Sequence, residues 1–317
     1  MRFLILILFF TSCVSQRQRN MNDNILSLRN SYCKAPFHYN YSKQIPSFNS
    51  DSILYANRSL SETFSDQSIL ILNALESLDE VHQIERLKQQ KSMEAQLNVL
   101  QLKSAIQSKI TIALTELDAV AAEFDCEGER VAQMAYYVDN INNNHNNRLV
   151  YYSIVAGALT SVASAIIADD KAGNIVDIAG GGLGAGLGFA TLNPKGRKVE
   201  FIHQRNILRD IWQEELQSEN FPPFVWYMYN ERKFSNYTEG LSIIGNIKKR
   251  WLQFNFDNNI AMANSSVNFN HGGYYRADDL HNRILMLNQM QSATRTINQL
   301  INYLLLDLDR FVYQVKP

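Results

Sequence analysis

The stretch LVYYSIVAGALTSVASAIIADDKAGNIVDIAGGGLGAGLGFATL, Leu149–Leu192, decides how the rest of the chain is read. Its residues 149–168 carry no charge. Asp169, Asp170 and Lys171 then mark a turn with Gly173 and Asn174, and a second uncharged run extends from Ile178 to Leu192. Two apolar arms joined by a charged turn read as a helical hairpin.

Small residues recur within both arms at helical spacing. Gly180, Gly184 and Gly188 lie four residues apart, as do Gly157, Ser161 and Ala165 on the first arm. Small residues at i and i+4 let two backbones approach closely, the zipper-like pattern by which helices associate in lipid. Each glycine costs a water-exposed helix about 1 kcal/mol relative to alanine. A segment holding Gly180, Gly181, Gly182, Gly184, Gly186 and Gly188 therefore needs close packing to remain helical.

Two readings of the hairpin stay open. In the first the arms enter a membrane, with Arg148 at one base and Lys195, Arg197 and Lys198 at the other. The first arm is long enough for a hydrocarbon core of roughly 30 Å and the second is short. In the other reading the hairpin is the buried core of a soluble bundle, and Asp177 within the second arm favours that. The glycines do not read as a nucleotide loop. Gly180-x-Gly182-x-x-Ala185 fits a relaxed dinucleotide pattern, but no β-branched strand leads into it and no acidic residue stands about twenty positions on. No cofactor is expected.

The segments on either side read as long helices. Leu75, Leu78, Val81, Ile84 and Leu87 recur every three residues, and Leu97, Leu100, Ile110, Leu114, Leu117, Val120 and Phe124 continue at helical spacing. Neither proline nor glycine interrupts residues 64–125, which predicts one helix or two joined end to end, up to about 90 Å at 1.5 Å per residue. The asparagine run Asn140–Asn147 reads as a helix stop. Beyond the hairpin, Val199–Leu216 and Leu241–Leu252 have helical period, 254–275 reads as loop or short strands, and a final helix covers Asp278–Tyr313. Asp278 and Asp279 stand at its start, where exposed amides favour carboxylates. The fold expected is mainly α, a bundle of long helices around a glycine-rich apolar hairpin. Residues 13–60 are a polar tether, 61–147 the long-helix segment, 148–198 the hairpin and 199–317 a helical segment packing on 61–147.

The chain opens with Met1, Arg2, the wholly apolar run Phe3–Phe10, then Thr11 and Ser12. A charged start, a short apolar stretch and small residues have the form of an export signal. Phe10-Thr11-Ser12-Cys13 resembles the lipobox of bacterial lipoproteins, with phenylalanine where that family most often has leucine. The resemblance implies that residues 1–12 are a signal peptide and that Cys13 is lipidated, palmitate included. It also implies a cell-envelope location with a membrane as partner. Val14 in place of aspartate implies the outer membrane. Each acyl methylene buried contributes roughly 0.8 kcal/mol, so a multiply acylated cysteine is a durable anchor.

With 46% hydrophobic and 19% charged residues, the 317-residue chain is globular, and losing Arg2 with the signal takes its formal charge from −1 to −2. Such a balance gives no reason to expect nucleic acid as partner. Cys33 and Cys126 remain beside Cys13, either as a disulfide in an oxidising compartment or as two unpaired thiols. Neither has metal-ligand spacing to other residues. Catalysis has little basis. The six histidines are scattered, no His-Glu-x-x-His or Gly-x-Ser-x-Gly occurs, and Asp278, Asp279 and His281 point in different directions at a helix start. The run Phe221-Pro222-Pro223-Phe224-Val225-Trp226-Tyr227 is either an aromatic plug or, if exposed, a surface for a protein partner or self-association.

The function expected is that of an envelope-anchored, non-enzymatic component of a membrane-associated assembly whose hairpin contacts membrane or a partner. The alternative is a soluble helical interaction module with the hairpin as buried core. Long helices flanking an apolar hairpin also resemble, in outline, the α-helical pore-forming toxins. Those proteins pack such a hairpin away until they meet a membrane.

Overall fold

Three helices stand where sequence period reads one, or two joined end to end. The computed structural model describes residues 33, 46–166, 170–191, 196–203, 205–214, 217–235 and 240–313. Among these, the first element is α1, Ser50–Ala56, capped by Asn49, whose side chain accepts from the Ser52 N–H. A short 3-10 turn, Arg58–Glu62, leads to α2, Asp66–Ala74, which starts at Ser65, its hydroxyl accepting from the Ser68 N–H at 3.1 Å. It stops without glycine. Glu76 adopts φ +52°, its N–H donates to the Asn73 carbonyl, and the Ser77 N–H reaches back to Leu72 at 2.8 Å. That pair of bonds closes a helix end of the type usually built on a left-handed glycine. α3, Leu78–Leu87, follows with Val81 and Ile84 buried.

α4 spans Met93–Ile166, with Ser92 accepting from the Ala95 N–H at its start. Ile106, Ile110, Ala113, Leu117, Val120 and Phe124 are buried along one face. The asparagine run 140–147 does not stop it. Each asparagine costs a helix no more than about 0.7 kcal/mol relative to alanine. Such a preference is overridden when buried residues such as Met134 and Val138 hold the preceding turns. α5, Asp170–Thr191, follows, so Lys171, Gly173 and Asn174 lie within a helix and not in a turn.

The reading of 199–216 as one helix is also corrected. Val199–Ile202 is strand β1, antiparallel to β2, Gly272–Tyr275, in the register Val199↔Tyr275 and Ile202↔Gly272. Val-Glu-Phe-Ile alternates at period 2, with Phe201 buried and Ile202 exposed. Helix α6, Ile207–Gln213, begins only at the Asn206 cap. Then come α7, Pro223–Asn230; a 3-10 turn, Arg232–Phe234; α8, Ile243–Asn255; α9, Ile260–Asn264; a second 3-10 turn, Val267–Phe269; and, after β2, α10, Ala277–Tyr313. Ten α-helices and two short strands among the described residues make the fold mainly α.

The chain divides into two compact units. One takes its described residues from Ser31–Glu129, His203–His271 and Asn282–Pro317, the other from Arg130–Ile202 and Gly272–His281. The hairpin is therefore no separate piece beginning at 148, and the 199–317 segment contributes to both units. In the first unit α4 packs antiparallel to α10. Lys103 pairs with Asp309 at 2.7 Å near one end, and Gly128 lies beside Leu287 and Asn288 near the other. Cys33 and Cys126 form a disulfide, their Cα atoms 5.5 Å apart, which fastens residue 33 to α4.

The aromatic run is core and offers no partner surface. Phe221, Phe224, Trp226 and Tyr227 are each at most 5% exposed. Pro222 caps α7 and Pro223 opens it, positions that suit proline's fixed φ. A helix apolar on all sides is stable only when surrounded. Phe221 stacks on Trp226 with ring centroids 5.3 Å apart, and Phe124 of α4 lies 6.0 Å from Phe221. The Tyr229 hydroxyl bonds Thr294 of α10.

Candidate functional site

Exposed large apolar residues are spread over the described chain, and nine of them lie on the two arms of the hairpin: Val150, Tyr151, Tyr152, Ile154, Leu159 and Val162 on α4, and Ile178, Leu183 and Phe189 on α5. The side chains of residues 163–177, Ala165 among them, and of Gly188 lie outside the described residues. The arms meet where Gly180 faces Thr160. Gly180 is buried, and a Cβ added there would overlap the Thr160 side chain. Gly157, Gly181, Gly182, Gly184 and Gly186 have no atom within 4 Å of such a Cβ. Among the described residues the expected face of small residues thus narrows to one close approach, and Gly180 meets Thr160 there rather than Gly157 or Ser161.

Burial on each arm follows this contact. Ser153, Ala156 and Thr160 are half-buried on one side of α4, and Gly180, Gly184 and Leu187 are covered on one side of α5. At 100° per residue the remaining described positions sweep most of each helix circumference, and they are exposed apart from Leu149 and Val155, which are half-buried. The hydroxyls on the arm are satisfied within their own helix. Ser153 donates to the Val150 carbonyl, Thr160 to Ala156 and Ser161 to Gly157. Such back-bonding leaves these serine and threonine hydroxyls without a free polar hydrogen.

At the base the chain is pinned. Gly196 has φ +47°, and a Cβ there would lie 2.9 Å from the Asn142 amide nitrogen; the Arg197 N–H donates to Asn142 Oδ1 at 2.9 Å. Burial pushes the Tyr137 hydroxyl pKa upward, against the opposing pull of the Arg197 guanidinium. Arg130 lies over the Phe201 ring at 4.4 Å, and Phe201 meets Tyr275 edge to face. The asparagine run expected to end a helix is thus what closes the hairpin's base.

Among the described residues no group of His, Cys, Asp and Glu can hold a metal ion. Asp279 accepts from the Arg276 N–H, whereas His281 pairs with Asp139 at 2.9 Å, so Asp278, Asp279 and His281 do not form one constellation. Cys13 and Lys195 lie outside the described residues. No protein family, curated protein or solved structure matches the chain. Its reading therefore rests on its own geometry. Among the described residues no helix is long and apolar enough to cross a membrane.

The geometry makes one local prediction. Gly180→Ala forces the Thr160 side chain aside and loosens the arms. Gly182→Ala and Gly186→Ala meet open space and stabilise α5 by up to about 1 kcal/mol each. Hydrogen exchange of the α5 amides measures both, and equal protection in the three variants would contradict the close approach at Gly180.

Proposed function

We propose that the protein is a non-enzymatic, lipid-anchored lipoprotein of the bacterial cell envelope, attached through Cys13, whose working part is a contact element: the hairpin formed by the end of α4 and by α5. It serves as a component of a membrane-associated assembly. The observation that carries this reading is the uncovered apolar surface of both arms. Ile154, Leu159, Ile178 and Leu183 are each more than half exposed. Contiguous exposed apolar surface of this kind marks a membrane or protein contact. Their exposure argues against the alternative in which the hairpin is buried core. An anchor at Cys13 already holds the chain to a membrane, so the hairpin adds a second, local contact.

The experiment has two arms. Labelled palmitate is incorporated into the wild-type chain and not into Cys13→Ser. Separately, the first 13 residues are replaced by a cleavable secretory signal, which delivers the same body without lipid. A substantial share of that body sediments with the envelope, and Leu159→Asp with Leu183→Asp releases it. Complete recovery of the unlipidated body in the soluble fraction, before any hairpin substitution, would overturn the proposal.

A further inference from the structure

The identity of what covers the hairpin follows from how its surface is arranged, given that the hairpin is the contact element proposed above. We infer that it is a lipid bilayer, entered by the hairpin with its base at headgroup level and Tyr151, Tyr152 and Phe189 fixing the depth.

A protein groove covers one face of a helix pair. Here Ser153, Ala156 and Thr160 are covered where the arms meet, Val155 is half-buried away from that contact, and the other described positions from 150 to 162 are exposed around the helix. Tyr151, Tyr152 and Ile154 alone span about 160° of the α4 circumference, at 100° per residue. A surrounding apolar medium satisfies such a surface and a single groove does not. Immersion also demands that each polar group be bonded internally. The described arms meet that demand: neither residues 149–162 nor 178–191 contain a charged residue, and the Ser153, Thr160 and Ser161 hydroxyls donate to carbonyls of their own helix.

The orientation comes from register. Thr160 faces Gly180, and the arms run in opposite directions, so Tyr151 and Tyr152 stand level with Phe189. These three exposed aromatic residues form a belt at the base, the arrangement that holds rings at a membrane interface. Arg148, Arg197 and Lys198, all exposed, follow on the side away from the arms' apolar stretch. Val162 and Ile178 stand level with each other, about 15 Å beyond the belt at 1.5 Å per residue. That is the mid-plane of a hydrocarbon core of roughly 30 Å. Asp177, next to Ile178, is the charge carried to that depth, and burial of Ile154, Leu159, Val162, Ile178 and Leu183 outweighs its cost.

The test uses the full lipidated chain reconstituted into vesicles of phosphatidylethanolamine and phosphatidylglycerol. Ile178→Cys, Leu183→Cys and Phe189→Cys, all at exposed positions, are labelled singly with an environment-sensitive nitrobenzoxadiazole dye, Cys33 and Cys126 being paired. Quenching is measured with nitroxide lipids labelled at the headgroup or deep in the acyl chain. The dye at 178 loses most of its emission to the deep quencher, the dye at 189 to the shallow one, and 183 falls between. Equal shallow quenching at all three sites overturns the inference in favour of a hairpin lying flat. Water-like emission at all three, with hairpin-dependent envelope retention still observed, overturns it in favour of a protein partner and leaves the proposed function standing. Water-like emission without that retention removes both.

Discussion

Replacing Glu116 with leucine raises the stability of the chain, and the gain grows with pH. Glu116 lies on the buried face of α4, between Ala113 and Val120, with 6% of its surface exposed. Neither carboxyl oxygen has a hydrogen-bond partner, and burial alone pushes its pKa up to about 8. Below the ordinary carboxylate pKa of about 4.5 the group is protonated in both folded and unfolded chains and has no pH-dependent effect. Between about 4.5 and 8 the folded chain keeps the proton that the unfolded chain releases. Stability then falls by about 1.4 kcal/mol per pH unit, and the loss levels off once both forms are ionised. The antiparallel register of α4 and α10, set by Lys103 with Asp309 and Gly128 beside Asn288, brings Glu116 level with Asn298. The Oδ1 of Asn298 is likewise buried without a donor. Only the protonated carboxyl is a donor. Urea unfolding at pH 5, 7 and 9 measures the effect. Glu116→Gln flattens the dependence, and Glu116→Leu in addition gains about 2–4 kcal/mol at pH 9 by removing buried acceptors that nothing satisfies. A slope in Glu116→Gln equal to that of the wild type would assign it to other groups.

Glu116 also illustrates what sequence period hides. It occurs among Thr115, Asp118 and other polar residues on a helix whose charges mostly face water, and only the packing of α4 on α10 turns it inward. The pattern was legible where one face repeats over many turns, as in α10, whose Leu280, Leu287, Ile297, Ile301, Leu304 and Leu308 are all buried. It was illegible where helix ends are made by backbone geometry without a marker residue. Glu76 at φ +52° ends α2 where glycine would have announced it, and Glu214, also at φ +52°, ends α6. The asparagine run misled in the opposite direction, because a weak local preference yields to a helix held on its preceding turns. In the hairpin, the small residues pointed to close backbone approach and found it at Gly180. The partner, Thr160, stands one position off the matching row on α4, and only coordinates fix which side of each helix faces the other. The aromatic run left core and surface open because composition is the same in both, and two prolines at the start of α7 do not tell which.

Arg283→Met destabilises the chain by about 2–4 kcal/mol, as expected when two buried hydrogen bonds from a charged donor are lost. Arg283 is 1% exposed on α10. Its guanidinium donates to the Asn268 carbonyl at 2.8 Å and to Asn206 Oδ1 at 3.1 Å. Asn206 also caps α6, accepting from the Leu208 N–H, while its amide donates to the carbonyls of Asn268 and Asn270. One arginine thereby ties α10 to the start of α6 and to the 3-10 turn carrying Phe269. Phe269 is stacked between Trp212, 4.6 Å away, and Trp251, 5.9 Å away. Methionine keeps much of the apolar stem and none of the donors, so its cost isolates the polar fork from the packing. Asn206→Ala loses overlapping bonds, and the double variant therefore costs less than the sum of the singles by 1 kcal/mol or more, as groups within one network do. Because the turn positions Phe269, near-ultraviolet circular dichroism from Trp212 and Trp251 weakens in Arg283→Met at temperatures where far-ultraviolet helicity is retained. Additive singles, or a loss below about 1 kcal/mol, would mean that water replaces the guanidinium and that the aromatic stack holds the turn by itself.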